Sequence, residues 1–227
     1  MEKNFKNIGD DKKILLVEGI NDCHVIKHLC LKHSLKETFK TYDCGGYEEL
    51  IKKIQPILKL EKHPDIIGMV VDADKPEDNP NLNSVFQSIS DRLKKVCNAY
   101  SIPKNVSQGG IIIPAVDIYP KIGIWFMPNN SDIGMLENFL MKLAINTNED
   151  SLNFARECVQ SAKDKGFTSF RDVQHAKAII HTYLAWHDEP GDTLGKAIRA
   201  SNIDSHAPLA IDFINWLKEL FEISENE

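Results

Sequence analysis

Residues 13–26, KILLVEGINDCHVI, constrain this chain more than any other stretch. Four apolar residues, Ile14 to Val17, run directly into Glu18 and Gly19, and the polar pair Asn21-Asp22 then leads into a helical pattern. A short unbroken apolar run suits a strand covered on both faces, as in parallel sheets. Val25, Ile26, Leu29 and Cys30 recur at helical spacing, so the unit reads as strand, tight turn, helix. A carboxylate at the end of a buried strand is costly unless something pairs with it. In open α/β sheets that same edge is where ligands bind. Glu18 is therefore either a site residue or a strand-end carboxylate kept in water.

The pattern repeats. Phe39 to Asp43 reads as a second strand, ending in Cys44-Gly45-Gly46, whose glycines allow positive φ. Leu50, Ile51, Ile54 and Leu58 mark a helix, with Pro56 expected to kink it. Ile66 to Val71 is a third buried strand, ending in Asp72-Ala73-Asp74. Ser84 is expected to cap the next helix, with Val85, Ile89, Leu93 and Val96 on one face. IIIPAVDIYP holds two prolines that suit an edge strand or a loop. Ile122 to Met127 is a further strand, and the helix GMLENFLMKLAI follows the loop PNNSD. Such alternation predicts an α/β fold with a mainly parallel sheet and right-handed crossovers over residues 12–145. Residues 146–227 predict a helical C-terminal extension packed on that sheet: helices near 151–165 and 170–186, then a last helix with Phe213, Trp216 and Leu217.

Composition narrows the function classes. Five scattered cysteines, none in a C-x-x-C pair, argue against a disulfide framework and against a thiolate zinc site. No run of about 18 apolar residues predicts a membrane span, and the polar start MEKNFKNIGDDKK lacks the apolar centre of a signal peptide. A cytoplasmic protein without a membrane partner is expected. The net charge of −6 gives no overall pull toward phosphates, so a nucleic-acid partner requires a local basic face or bound cations.

The carboxylates carry the chemistry. In a parallel sheet with right-handed crossovers all strands end on one edge, so Glu18, Asp72 and Asp74 are expected to converge there. Asp22 follows four residues after Glu18, and Glu137 lies in the helix after the Ile122 strand. Clustered carboxylates raise one another's pKa. Divalent cations remove that penalty, and oxygen ligands of this kind select Mg²⁺ or Mn²⁺. Each residue also has a plainer reading: Asp22 as a helix N-terminal acid, the D-x-D as a common strand-end pair, Glu137 as a solvated helix residue.

VEGINDCHVI together with VVDAD resembles the Toprim domain, the module shared by topoisomerases, bacterial primases, small ribosomal-RNA-maturing nucleases, recombination mediators and OLD-family nucleases. The spacing suits that Rossmann-like fold from about Lys12 to Ala144. The resemblance implies that Glu18 is the catalytic acid/base and that Asp72 and Asp74 hold Mg²⁺. The E-G-x-x-D form is similar to the OLD-like branch, which implies a metal-binding role for Asp22. PNNSDIGMLENFL and GDTLGKAI also resemble a group of small stand-alone Toprim-related proteins, which implies no activity for those segments. No P-loop G-x-x-x-x-G-K-[ST] is present, unlike OLD proteins.

The expectation is a Mg²⁺-dependent phosphoesterase acting on DNA or RNA. Glu18, Asp22, Asp72 and Asp74, with Glu137 as a further candidate ligand, would hold the metal, and Lys196 would neutralise charge in the transition state. A non-catalytic scaffold binding nucleic acid or a protein partner is the alternative, and a homo-oligomer is compatible with either. A phosphatase with Asp72 as nucleophile leaves Glu18 unexplained.

Overall fold

The structure is a computed structural model and describes residues 8–73 and 82–224. Asp74, the second acid of the D-x-D, lies outside the described residues. Strands β1 (Lys13–Val17), β2 (Lys40–Asp43), β3 (Ile66–Asp72), β4 (Ile111–Ile113) and β5 (Lys121–Met127) form one sheet in the order β2-β1-β3-β5-β4. β1 pairs with β2 and β3 in parallel, β3 pairs with β5 in parallel, and the short edge strand β4 pairs with β5 antiparallel. Ile111 to Ile113 thus take the edge position that the following prolines permit.

Helices cover both faces. α1 (Ile20–Lys32) joins β1 to β2 on one face, where Val25, Ile26 and Leu29 pack with Leu15 and Val17. α2 (Tyr47–Leu58) and α3 (Leu82–Val96) cross on the other, where Leu50, Ile51, Ile89 and Leu93 pack with Ile14, Leu16, Met69 and Ile124. Alternate strand residues therefore serve separate cores, which is why the strands read as unbroken apolar runs. Two local expectations shift. Ser84 lies within the first turn of α3 instead of capping it, and Pro56 falls in the last turn of α2. The Gly45-Gly46 turn has φ of 83° and 113° and delivers the chain into α2.

The face that α1 covers also receives the C-terminal helices. α4 (Leu136–Asp164) is interrupted at Asn148, whose side chain accepts the Ser151 N–H at 3.0 Å and restarts the helix. α5 (His175–Leu184) is shorter than its sequence pattern suggests, a 3-10 turn (Asp172–Gln174) preceding it. α6 (Leu194–Arg199) and α7 (Pro208–Phe221) complete the layer. Residues from β1, β3 and β5 share one continuous core with Phe139, Leu152, Ile180, Ile198, Phe213 and Leu217. The extension is thus one wall of the sheet's own core.

α7 lies close to the sheet because two glycines make room for it. Gly68 and Gly123 are register partners on β3 and β5. A Cβ on Gly68 would stand 2.6 Å from Leu15 Cδ1 and 2.9 Å from Leu220 Cδ2, and one on Gly123 would collide with the Leu220 side chain. Overpacking of this kind costs about 1–3 kcal/mol. Gly123→Ala should therefore lower stability by that amount in thermal or urea melts. Leu220→Ala should cost about 2–5 kcal/mol by itself, and the two changes combined should cost clearly less than their sum. Strict additivity would show that Leu220 does not occupy the glycine groove.

Candidate functional site

The sheet order creates a crevice at one place. From β1 the chain crosses to β2 through α1 on one face, then returns past β1 to β3 through α2 on the opposite face. The connections leaving β1 and β3 therefore diverge above and below neighbouring strands. The space outside their C-terminal ends is the topological switch point where open α/β sheets bind ligands. Glu18 follows β1 and Asp72 closes β3, so the two carboxylates flank that crevice.

Backbone hydrogen bonds fix them there. The Asp72 N–H donates to Glu18 Oε1 at 2.9 Å, and the Leu136 N–H donates to Asp72 Oδ1 at 3.1 Å. Leu136 is the first residue of α4, whose preceding residue, Met135, provides no side-chain acceptor. The Asp72 carboxylate supplies one from another element and meets the positive end of the helix. The loop between β5 and α4 is shaped for this approach. Asn130, buried and at φ 59°, accepts the Phe126 N–H through Oδ1 at 2.7 Å and donates to the Gln108 carbonyl at 3.0 Å. The Gly134 carbonyl then accepts the Ala73 N–H at 2.8 Å. On the other side, the Glu18 carbonyl accepts the Gly46 N–H at 2.7 Å and ties the Gly-Gly turn to the end of β1.

Asp22 sits behind this pair in the first turn of α1. Its Oδ2 accepts the Gly19 N–H at 3.0 Å, so it folds back over the helix start. The residue is only 8% exposed. Burial, then the neighbouring charge of Glu18, pushes its carboxyl up from 3.8 to about 7; the backbone donors of Gly19 and Asp22 oppose the rise, and Glu137 adds to it. Desolvation and like charge both disfavour the ionised form. Glu137 is also buried, and Lys177 on α5 reaches it at 3.3 Å.

The structure thus brings Glu18 and Asp72 together, sets Asp22 within electrostatic reach of Glu18 and Glu137, and pairs Glu137 with Lys177. Among the described residues, no group of three or more His, Cys, Asp or Glu side chains is placed to hold a metal ion. Lys196 is exposed on α6, pairs with Asp192 at 3.0 Å, and feels Asp192, Glu189 and Arg199. Lys177 reaches this side through Glu137. It lies in QHAKAII with no motif around it, and only its meeting with Glu137, far away in the sequence, marks it.

The family model described as "Protein of unknown function (DUF3226)" matches residues 12–222. The chain belongs to that family. The DUF3226 match spans the sheet and the C-terminal helices alike. No curated protein and no solved structure matches the chain.

The environment of Asp22 sets a pH dependence. Its carboxyl titrates higher in the folded chain than in the unfolded one, so the folded state binds the extra proton between about pH 4 and pH 7. Stability must then fall as pH rises through that window and level off above it. Asp22→Asn keeps an acceptor for the Gly19 N–H and removes the charge. In EDTA, the variant should melt higher than wild type at pH 8, with the difference vanishing near pH 4. A constant difference across the range would mean that Asp22 is not held protonated by its surroundings.

Proposed function

We propose that the chain is a metal-dependent phosphoesterase acting on DNA or RNA, its site the crevice between the ends of β1 and β3. The observation that supports this most directly is the meeting of Glu18 and Asp72 across neighbouring parallel strands, with the carboxyl of Asp22 raised to about 7 beside them. A cluster built this way carries an electrostatic penalty that a divalent cation relieves. Glu18, Asp22 and Asp72 offer only hard oxygen donors, the chemistry that suits Mg²⁺ or Mn²⁺. With Asp74 of the same D-x-D, they are the residues that would hold it. When bound, such an ion supplies an activated water and charge stabilisation for a phosphoryl group.

The chain's own residues supply the rest. Glu18, held in place by the Asp72 N–H, acts as proton acceptor and donor through its carboxylate oxygens. Asp72, anchored to the start of α4, orients the far side of the crevice. Lys177 balances Glu137 and limits the negative charge around Asp22. The same reading takes the protein to be cytoplasmic: all five cysteines are free, as in reducing compartments. No helix among the described residues is long and apolar enough to cross a membrane.

Glu18→Gln separates this reading from a non-catalytic scaffold. Glutamine still accepts the Asp72 N–H, so the fold should persist, while the proton-accepting oxygen is lost. Wild type with Mn²⁺ or Mg²⁺ should cleave a single- or double-stranded nucleic acid, EDTA should stop it, and Glu18→Gln should slow it about 10²–10⁴-fold. Mn²⁺ should also raise the wild-type melting temperature, a response that Asp72→Asn with Asp74→Asn abolishes. No cleavage with any substrate and metal, together with partner binding indifferent to Glu18→Gln, would favour the scaffold.

A further inference from the structure

A chain of net charge −6 sets Glu18, Asp22 and Asp72 where a phosphodiester would have to approach, so a polyanion needs cationic surface close by. The pair α1–α6 carries such a surface. α1 starts at the carboxylates and bears His24, Lys27, His28 and Lys32 at i, i+3, i+4 and i+8, one stripe of the helix. α6 is pressed onto this helix at Gly195. A Cβ there would lie 2.9 Å from His24 Cβ, from the His24 carbonyl oxygen and from His28 Cδ2, so any side chain would force the helices apart. Beyond the end of α6 the chain stays with α1, where Lys32 Nζ donates to Ser201 Oγ at 2.8 Å. This contact line sets Lys196 and Arg199 beside the α1 stripe. His28 feels the charges of Arg199, Lys27 and His24 together. His24, Lys27, Lys196 and Arg199 are exposed. Acids also touch this face: Asp192 pairs with Lys196, Glu189 acts on Lys196, and Glu37 acts with Lys27.

We infer that the face formed by α1 and α6 is a track for the phosphodiester backbone of a nucleic acid, gripped by Lys27, Lys32, Lys196 and Arg199 and leading along α1 to the carboxylates. The inference rests on the phosphoesterase reading for the identity of the polyanion. From Asp22 to Lys32 the helix advances about 15 Å, at 1.5 Å per residue, enough to meet several successive phosphates of one strand. Contacts of this kind position a strand and carry no base information, so binding is indifferent to sequence.

The full-length chain in EDTA, titrated against short fluorescein-labelled single-stranded DNA, single-stranded RNA and duplex DNA at several salt concentrations, tests the track by anisotropy. The variant Lys27→Gln/Lys32→Gln/Arg199→Gln should bind at least one of these roughly tenfold or more weakly than wild type. Its plot of log K against log[salt] should be shallower by about 2, at ~0.7 per lost phosphate contact on a single strand. Lys52→Gln/Lys94→Gln/Lys95→Gln, which removes the same charge from α2 and α3, should bind like wild type. Equal loss in both triple variants, or none in the first, overturns the track. So does a wild type that binds anionic phospholipid vesicles and none of the oligonucleotides. The Mn²⁺-induced rise in melting temperature reports on the carboxylates separately. A variant that keeps this rise and loses binding supports the track. A normal rise with unchanged binding removes the track and leaves the carboxylate site standing. Loss of binding in the first variant, in a protein with no Mn²⁺ response, supports the track and counts against the site.

Discussion

The hydrogen bond from the Asp72 N–H to Glu18 Oε1, 2.9 Å long, joins everything else at the C-terminal edge of the sheet. It exists because β1 and β3 are parallel neighbours in which Val17, the last residue of β1, pairs with Val70, so β3 runs on past it to bring Asp72 beside Glu18. Charge-assisted bonds to backbone donors are stronger than neutral ones, so the Asp72 N–H gives Glu18 a firm anchor. Asp72 repeats the device one element further on by accepting from Leu136 at the start of α4. Strand β1, strand β3 and helix α4 are thereby linked through two carboxylates. Moving either acid would loosen the entry to α4 as well as the crevice.

Asp22 shows how strongly burial governs this edge. It lies in the first turn of α1, where a helix dipole favours a negative charge by about 0.3–1 kcal/mol, and it accepts the Gly19 N–H. Even so its carboxyl rises from 3.8 to about 7, a penalty on the order of 4 kcal/mol for the charged form. Desolvation and the charge of Glu18 outweigh the helix terminus several-fold. A carboxylate at a helix start with only the capping role would sit in water and titrate low. The inward position of Asp22 is a cost to folding at neutral pH, and sites that hold or transfer charge are where such costs persist.

Much of this geometry was written in local patterns. The unbroken runs at Ile14–Val17 and Ile66–Val71 identify strands buried on both faces, and the crossover rule then carries Glu18 and Asp72 to one edge. What the sequence hides are the contacts between distant segments. Gly68 and Gly123 look like weak points in strands until Leu220 is seen to fill the space they leave. Glu137 reads as a surface residue because its burial and its pairing with Lys177 depend on how α5 packs against α4. Lys196 attracts notice for standing in a glycine-flanked motif, yet its ammonium turns to Asp192, only four residues away. Gly195 beside it matters more, since it sets the spacing of α6 against α1.

The two signs of charge in this chain are sorted along α1. Its N-terminus, where the peptide dipoles leave partial positive charge, faces Glu18 and Asp22. Its middle and end carry Lys27 and Lys32, where the negative end of the dipole favours cations. Each charge sits at the end of the helix dipole that favours it, although for Asp22 burial and the charge of Glu18 outweigh that gain. Reversing the order would set the cations over the crevice and the acids against the C-terminal carbonyls, and each would be disfavoured. A helix ordered in this way can attract a polyanion along its flank and still keep at its tip a carboxylate set suited to a divalent cation. A uniformly basic surface could not do both, because lysines crowding the crevice would neutralise the carboxylates that a cation needs. The net charge of −6 averages over that arrangement and conceals it.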